Sequence, residues 1–120
     1  MLDSAASEIV AATIELPRSW NNYAIDAVWT NVGAWAGNVV LRCDNATRGT
    51  GETIATPGSA VPVTAAAGAA GVIMTTTLIA SAPNTTGELL VLGVVRAGAD
   101  AADTLANDIG LLGLRLRRAG

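Results

Sequence analysis

The groups in this chain that can do chemistry are few. Three aspartates, Asp100, Asp103 and Asp108, fall in one polar stretch. An oxygen-ligand calcium site needs several converging carboxylates, usually with backbone carbonyls. This stretch has neither an Asp-x-Asp-x-Asp-Gly run nor a closing Glu. Its expected roles are a solvated loop and the capping of one short helical turn by Asp100 or Asp103. Asp26, Asp44, Glu52 and Glu88 are scattered, and their spacing selects no two of them as a glycosidase-type acid and base. Hydroxyls are abundant, but a Ser nucleophile without His needs a Lys or an N-terminal amine. The chain has no Lys and no His. Cys43, the single cysteine, ends an apolar run and is expected to be a small buried hydrophobe. Gly49-Thr50-Gly51 lacks the Lys and the helix of a phosphate loop. No catalytic residue, metal ligand or cofactor is therefore expected, and the chain reads as a structural or binding protein.

Binding chemistry has two candidate sources. All the aromatic area lies in Trp20, Tyr23, Trp29 and Trp35. Tyr23 and Trp29 share one face of a candidate strand, which points to core. Trp35 is flanked by Gly33, Ala34, Ala36 and Gly37, as on a hairpin tip, where it suits a partner anchor. Trp20 and Trp35 alike suit a sugar-stacking platform. The second source is the basic stripe Arg115, Arg117 and Arg118. It fits either pairing with acids of a neighbouring subunit, through Arg115 and Arg117, or an edge strand guarded by charge.

The elements that position these groups follow from periodicity. Residues 1–15 read as an N-terminal arm. Within it Ser4, Ser7 and Glu8 suit one helical turn, and Thr13-Ile14 equally suit the start of a strand. Pro17 stops a helix at Leu16. From Tyr23 to Thr30 the chain alternates with period two, so it is a strand. Val39–Cys43 is a second strand, and Asp44–Gly49 is a loop by composition. Thr53–Ala55 suits a short strand. Pro62 confines any strand in Ala60–Thr64 to an edge or a bulge. Val72–Ile79 is a β-branched strand, and Ser81–Gly87 a turn region. Glu88–Arg96 is apolar on both faces, as in a central strand. In Ile109–Arg118, alternation buries Leu112, Leu114 and Leu116 and exposes Arg115 and Arg117. Six to eight short strands with little helix make an all-β protein. An antiparallel, jelly-roll-like β-sandwich over residues 16–120 is expected, and a barrel is the next choice.

Composition agrees. Hydrophobic residues make up 51% of the 120, but aromatics only 3%, so the core is built from small and branched side chains. Only 14% are charged, which is low for a surface that stays wet everywhere and suggests burial against partners. The net charge of −3 argues against nucleic acid. No run of 18 apolar residues occurs, so no membrane span is expected. Met1-Leu2-Asp3-Ser4 has no basic region before an apolar one and does not read as a signal peptide.

Several of these runs together resemble a family. They are Leu16-Pro17-Arg18-Ser19-Trp20, Tyr23–Trp29, Gly37-Asn38-Val39-Val40-Leu41-Arg42, Gly87-Glu88-Leu89-Leu90 with Arg96, and Asp100–Leu114. Over residues 16–116 the chain is similar to the small β-sandwich domains of tailed-bacteriophage virion proteins, of the capsid decoration, head-fibre and tail-tip type. The shared features are packing and turn motifs. The resemblance implies a homotrimer with an N-terminal anchoring segment. It would be made in the host bacterial cytoplasm and placed on the capsid exterior, in contact with the major capsid protein or other virion proteins. The expected contact residues are then Leu2, Ile9, Val10, Ile14 and Trp35. The alternative within the family is a tail-tip or fibre module that recognises host surface carbohydrate through Trp20 or Trp35.

Overall fold

A computed structural model describes residues 7–33, 36–52, 61–85 and 89–119, with the backbone alone for 7–10. The described residues form seven strands, β1 (Ser7–Glu15), β2 (Asn22–Asn31), β3 (Asn38–Arg48), β4 (Val63–Ala66), β5 (Ile73–Pro83), β6 (Leu89–Ala97) and β7 (Ile109–Arg118). They make two antiparallel sheets, one in the order β1-β6-β3-β4 and the other β5-β2-β7. The sheets pack face to face, so the expected antiparallel β-sandwich is the fold. Successive strands switch sheet at every step except β3 to β4.

β2 shows why the sequence folds this way. Its inward residues Tyr23, Ile25, Ala27 and Trp29 are all buried in the core. Opposite them stand Val39, Leu41 and Cys43 of β3 and Leu90, Leu92 and Val94 of β6. Small partners leave room for one indole, and Trp29 is fully buried with its Nε1 donating to Thr76 Oγ1 at 2.9 Å. β6 lies between β1 and β3, as its two apolar faces require. β4 is an edge strand directly after Pro62.

Elsewhere tertiary pairing overrides local composition. From Ser7 on, the segment expected as an arm is β1, paired residue by residue with β6 from Ser7↔Ala97 to Glu15↔Leu89. Asp44–Arg48, expected as a loop, continue β3 against Leu89–Gly93 of β6. The apolar central strand supplies a ladder that the loop-forming side chains do not refuse. Ser81–Pro83, expected in a turn, end β5, where Pro83 stands on an edge strand and needs no further partner.

β7 departs from simple alternation at one point. Val28 of β2 pairs with Gly113 and Trp29 with Leu111, so Leu112 is an extra, bulged residue. Leu112 is 55% exposed rather than buried, and Leu111 takes the inner side against Trp29. Leu114 and Leu116 pack against the core as expected. Thr53–Ala55 and Glu88 lie outside the described residues.

Candidate functional site

The polar groups sort into two internal networks and one surface. The first network centres on Arg96, whose side chain is fully buried at the end of β6. Its position after Leu90, Leu92 and Val94 puts it on the inward face. Nε and Nη2 donate to Asp103 Oδ2 and Oδ1 at 3.1 and 2.8 Å, Nη2 to Leu105 O at 2.8 Å, and Nη1 to Asn107 O at 2.7 Å. Asp103 Oδ2 also accepts from Val40 N at 3.0 Å. The loop 98–108 is thereby tied to the start of β3, where Asn38 O accepts from Thr104 N and Leu105 N. Gly37 sits so close beneath this loop that a Cβ there would lie 2.9 Å from Leu105 backbone. Asp103 is thus neither solvated nor a helix cap, as Asp100 and Asp103 were expected to be. The Arg96 charge at the core edge has to be matched by a buried anion. Asp100 instead accepts from Ala102 N within a turn.

The second network holds the start of β7. Asn107 Nδ2 donates to Asn31 Oδ1 at 2.9 Å, Gly33 N donates to the same oxygen at 3.2 Å, and Asn31 Nδ2 donates to Gly68 O at 3.2 Å. Both networks fix loops.

The surface is the outer face of β5-β2-β7. Its lower half is polar. Asp26, buried on β2, accepts from Arg117 Nε at 2.9 Å and Nη2 at 3.2 Å, and from Thr77 Oγ1 at 2.8 Å. The Arg117 hydrogen bonds hold the Asp26 carboxyl below its ordinary value of 3.8, with Thr77 and the charge of Arg115 adding to the effect against desolvation. A lowered native pKa means that the unfolded chain takes up the proton first as pH falls. The resulting stability is fully present above pH 3.8 and declines below it, until pH has passed the lowered native value. Asp26→Asn is therefore expected to flatten the acid limb of a stability–pH curve measured by urea unfolding. An unchanged acid limb would contradict this assignment.

The upper end of the same sheet carries exposed apolar side chains. Val32, Val72 and Ile73 are 48%, 50% and 67% exposed, and the bulged Leu112 joins them. Thr30 Oγ1 donates to Val72 O at 2.8 Å and Thr30 pairs with Ile73 and Gly110, which brings these residues to one end of the sheet. β7 is the outermost strand beside them.

The residues expected to carry function are placed unequally. Leu2 and Trp35 lie outside the described residues, as do the side chains of Ile9 and Val10, whose backbones pair with Val95 and Val94. Ile14 is half-buried against the core. Trp20 also packs on the core, and its carbonyl accepts from Asn84 Nδ2. Arg117 is engaged with Asp26 of its own chain, whereas Arg115 is exposed opposite Asp26 in the β2–β7 register. Asp44 is held by Arg42 at 2.9 Å on the other sheet, so Asp26 and Asp44 do not meet. Burial pushes the Cys43 thiol up to about 12, with the Asp44 charge adding to it, so it stays protonated and unreactive. Among the described residues there is no group of three or more His, Cys, Asp or Glu arranged to hold a metal ion. No described helix is long and apolar enough to cross a membrane.

Sequence reasoning missed the Arg96–Asp103 pair. Its signal was an Arg in phase with the inward Leu90, Leu92 and Val94, followed seven residues on by an Asp. Comparison with family models, with curated proteins and with solved structures found no match to this chain.

Proposed function

We propose that the chain is a non-enzymatic structural protein that works through symmetric contacts with copies of itself. Following its resemblance over residues 16–116, the finer reading is a homotrimeric capsid decoration protein of a tailed-bacteriophage virion, cementing the head exterior by contact with the major capsid protein. The observation that carries this reading is the apolar end of the β5-β2-β7 sheet. Val32, just after β2, Val72, just before β5, and Ile73, the first residue of β5, stand in solvent there. Exposed apolar residues gathered in this way mark protein contact surfaces. A surface with only 14% charged residues in the chain offers little hydrated charge to be stripped on association. Three copies that bring their apolar ends to a common axis bury all three patches at once, and closed symmetry limits the assembly.

Light scattering over a range of concentrations tests the reading. A mass of three chains, or a multiple of three, that persists on dilution is the expected result. One chain's mass at every concentration would overturn it.

A further inference from the structure

Building on the self-association proposed above, though not on its trimeric form, we infer that two copies of the chain join edge to edge through β7. The strands run antiparallel about a two-fold axis that passes between Leu112 and Gly113. Among the described residues β7 ends its sheet, and an outer strand offers unpaired backbone N–H and C=O groups along its free side. From Ile109 to Leu114 it contains neither proline nor charge.

The bulge selects the axis. Residues directly opposite in an antiparallel pair point to the same face. On β7, Ile109, Leu111, Leu114 and Leu116 face the core, while Gly110, Gly113, Arg115 and Arg117 face outward. In a regular strand, an axis between adjacent residues would set an inward residue against an outward one. Here the extra residue, Leu112, shares the exposed side with Gly113. An axis between these two matches faces along the whole strand. Leu111 of each copy meets Leu114 of the other, Ile109 meets Leu116, Leu112 meets Gly113, and Gly110 meets Arg115.

Size and charge follow the same register. Two of the three large outward side chains, Leu112 and Arg115, fall on a glycine of the other copy. Leu112 covers Gly113, where an added Cβ would meet no atom within 4 Å. Arg115 covers Gly110, whose missing side chain leaves the methyl groups of Thr30 and Val32 bare, at 3.5 and 3.8 Å from where a Cβ would stand. Asp108, just before the strand, comes opposite Arg117 at its far end. The Asp108 carboxylate has no ion-pair partner among the described residues. An acid just before the strand and arginines at its end mean that antiparallel pairing brings unlike charges together, whereas parallel pairing would stack arginine on arginine. Leu111, Leu114 and Leu116, which only partly escape solvent at the sheet edge, gain cover from the second copy.

Two variants test the contact. Gly113→Trp places its Cβ where no atom outside its two chain neighbours lies within 4 Å, and its ring denies Leu112 of the other copy its place. The wild-type mass by light scattering should be an even multiple of the chain mass and should halve in the variant. A trimer mass that the substitution leaves unchanged overturns this contact and leaves the trimer reading standing. A dimer that the variant converts to monomer supports the contact and overturns the trimer. A monomer at every concentration overturns both. The second test mixes Leu112→Cys chains with Gly113→Cys chains under mild oxidation. Opposed residues sit about 4.5–5.5 Å apart at Cα, within the roughly 4.4–6.8 Å that a disulfide spans. Disulfides between unlike chains should exceed those between like chains. Equal proportions, or no cross-link, would sink the register even if the tryptophan variant failed to fold.

Discussion

Arg96→Ala is expected to lower the unfolding free energy by about 3–5 kcal/mol, the usual loss when one partner of a buried ion pair is removed. The loss has two parts. Asp103 would remain fully buried with its charge unmatched. The carbonyls of Leu105 and Asn107 would lose their donor as well. Small domains are stable by only about 5–15 kcal/mol, so the variant should sit near its unfolding threshold at ambient temperature. Urea unfolding measures this directly, provided that the slope stays constant and the midpoint alone moves. Asp103→Ala should cost a similar amount, because it strands the guanidinium and the Val40 amide. The double variant should cost clearly less than the two losses added, since both act on one network. Strict additivity would mean that the pair is not a unit. The double variant should still fall short of wild type, because the backbone groups that Arg96 and Asp103 satisfy have no substitute partner.

Trp29→Ala should cost about 3–5 kcal/mol for a different reason. Trp29 fills the space between Met74, Leu111 and the facing sheet, and it is the largest fully buried side chain among the described residues. The core cluster it belongs to includes Ala27, next to it on the inward face of β2, and Val39, side chains too small to fill the void. Thr76 Oγ1 would also lose its donor. Trp29→Phe separates the two effects. It keeps most of the ring volume and removes the N–H, so it should lose less than the alanine variant but still more than about 1 kcal/mol. Equal losses for Phe and Ala would mean that volume is not what Trp29 contributes. Thermal unfolding followed by circular dichroism orders the three proteins.

Some of this was legible in the residues and some was not. Period-two alternation placed β2 and its buried face because Tyr23, Ile25 and Trp29 alternate with Asp26 and Thr30. The two apolar faces of β6 placed it inside a sheet. Asp44–Arg48 were not legible as a strand, because their ladder comes from β6, far away in sequence. Leu112 broke the alternation of β7 through a bulge, and nothing local announces one extra residue in a Leu-Leu-Gly run. The arginine stripe was read as one surface, but Arg117 turns to Asp26 of β2, a pairing set by strand order rather than by spacing. The apolar end of this sheet was the least legible. Val32, Val72 and Ile73 come to one end of it because β2 and β5 pair in the register Thr30↔Ile73.

The strand order also has a consequence for synthesis on the ribosome. Among the described residues β1 has a single neighbour in its sheet, and 90 residues separate Ser7 from its partner Ala97. Translation at roughly 5–20 residues per second leaves β1 without its mate for about 5–20 s after it is made. During that interval the nascent chain presents Ile9-Val10-Ala11-Ala12-Thr13-Ile14, a β-branched run, to whatever is near. Neighbouring nascent copies on one message would offer the same run to each other. Glu8 and Glu15 flank it at both ends and act as charged gatekeepers against premature strand pairing.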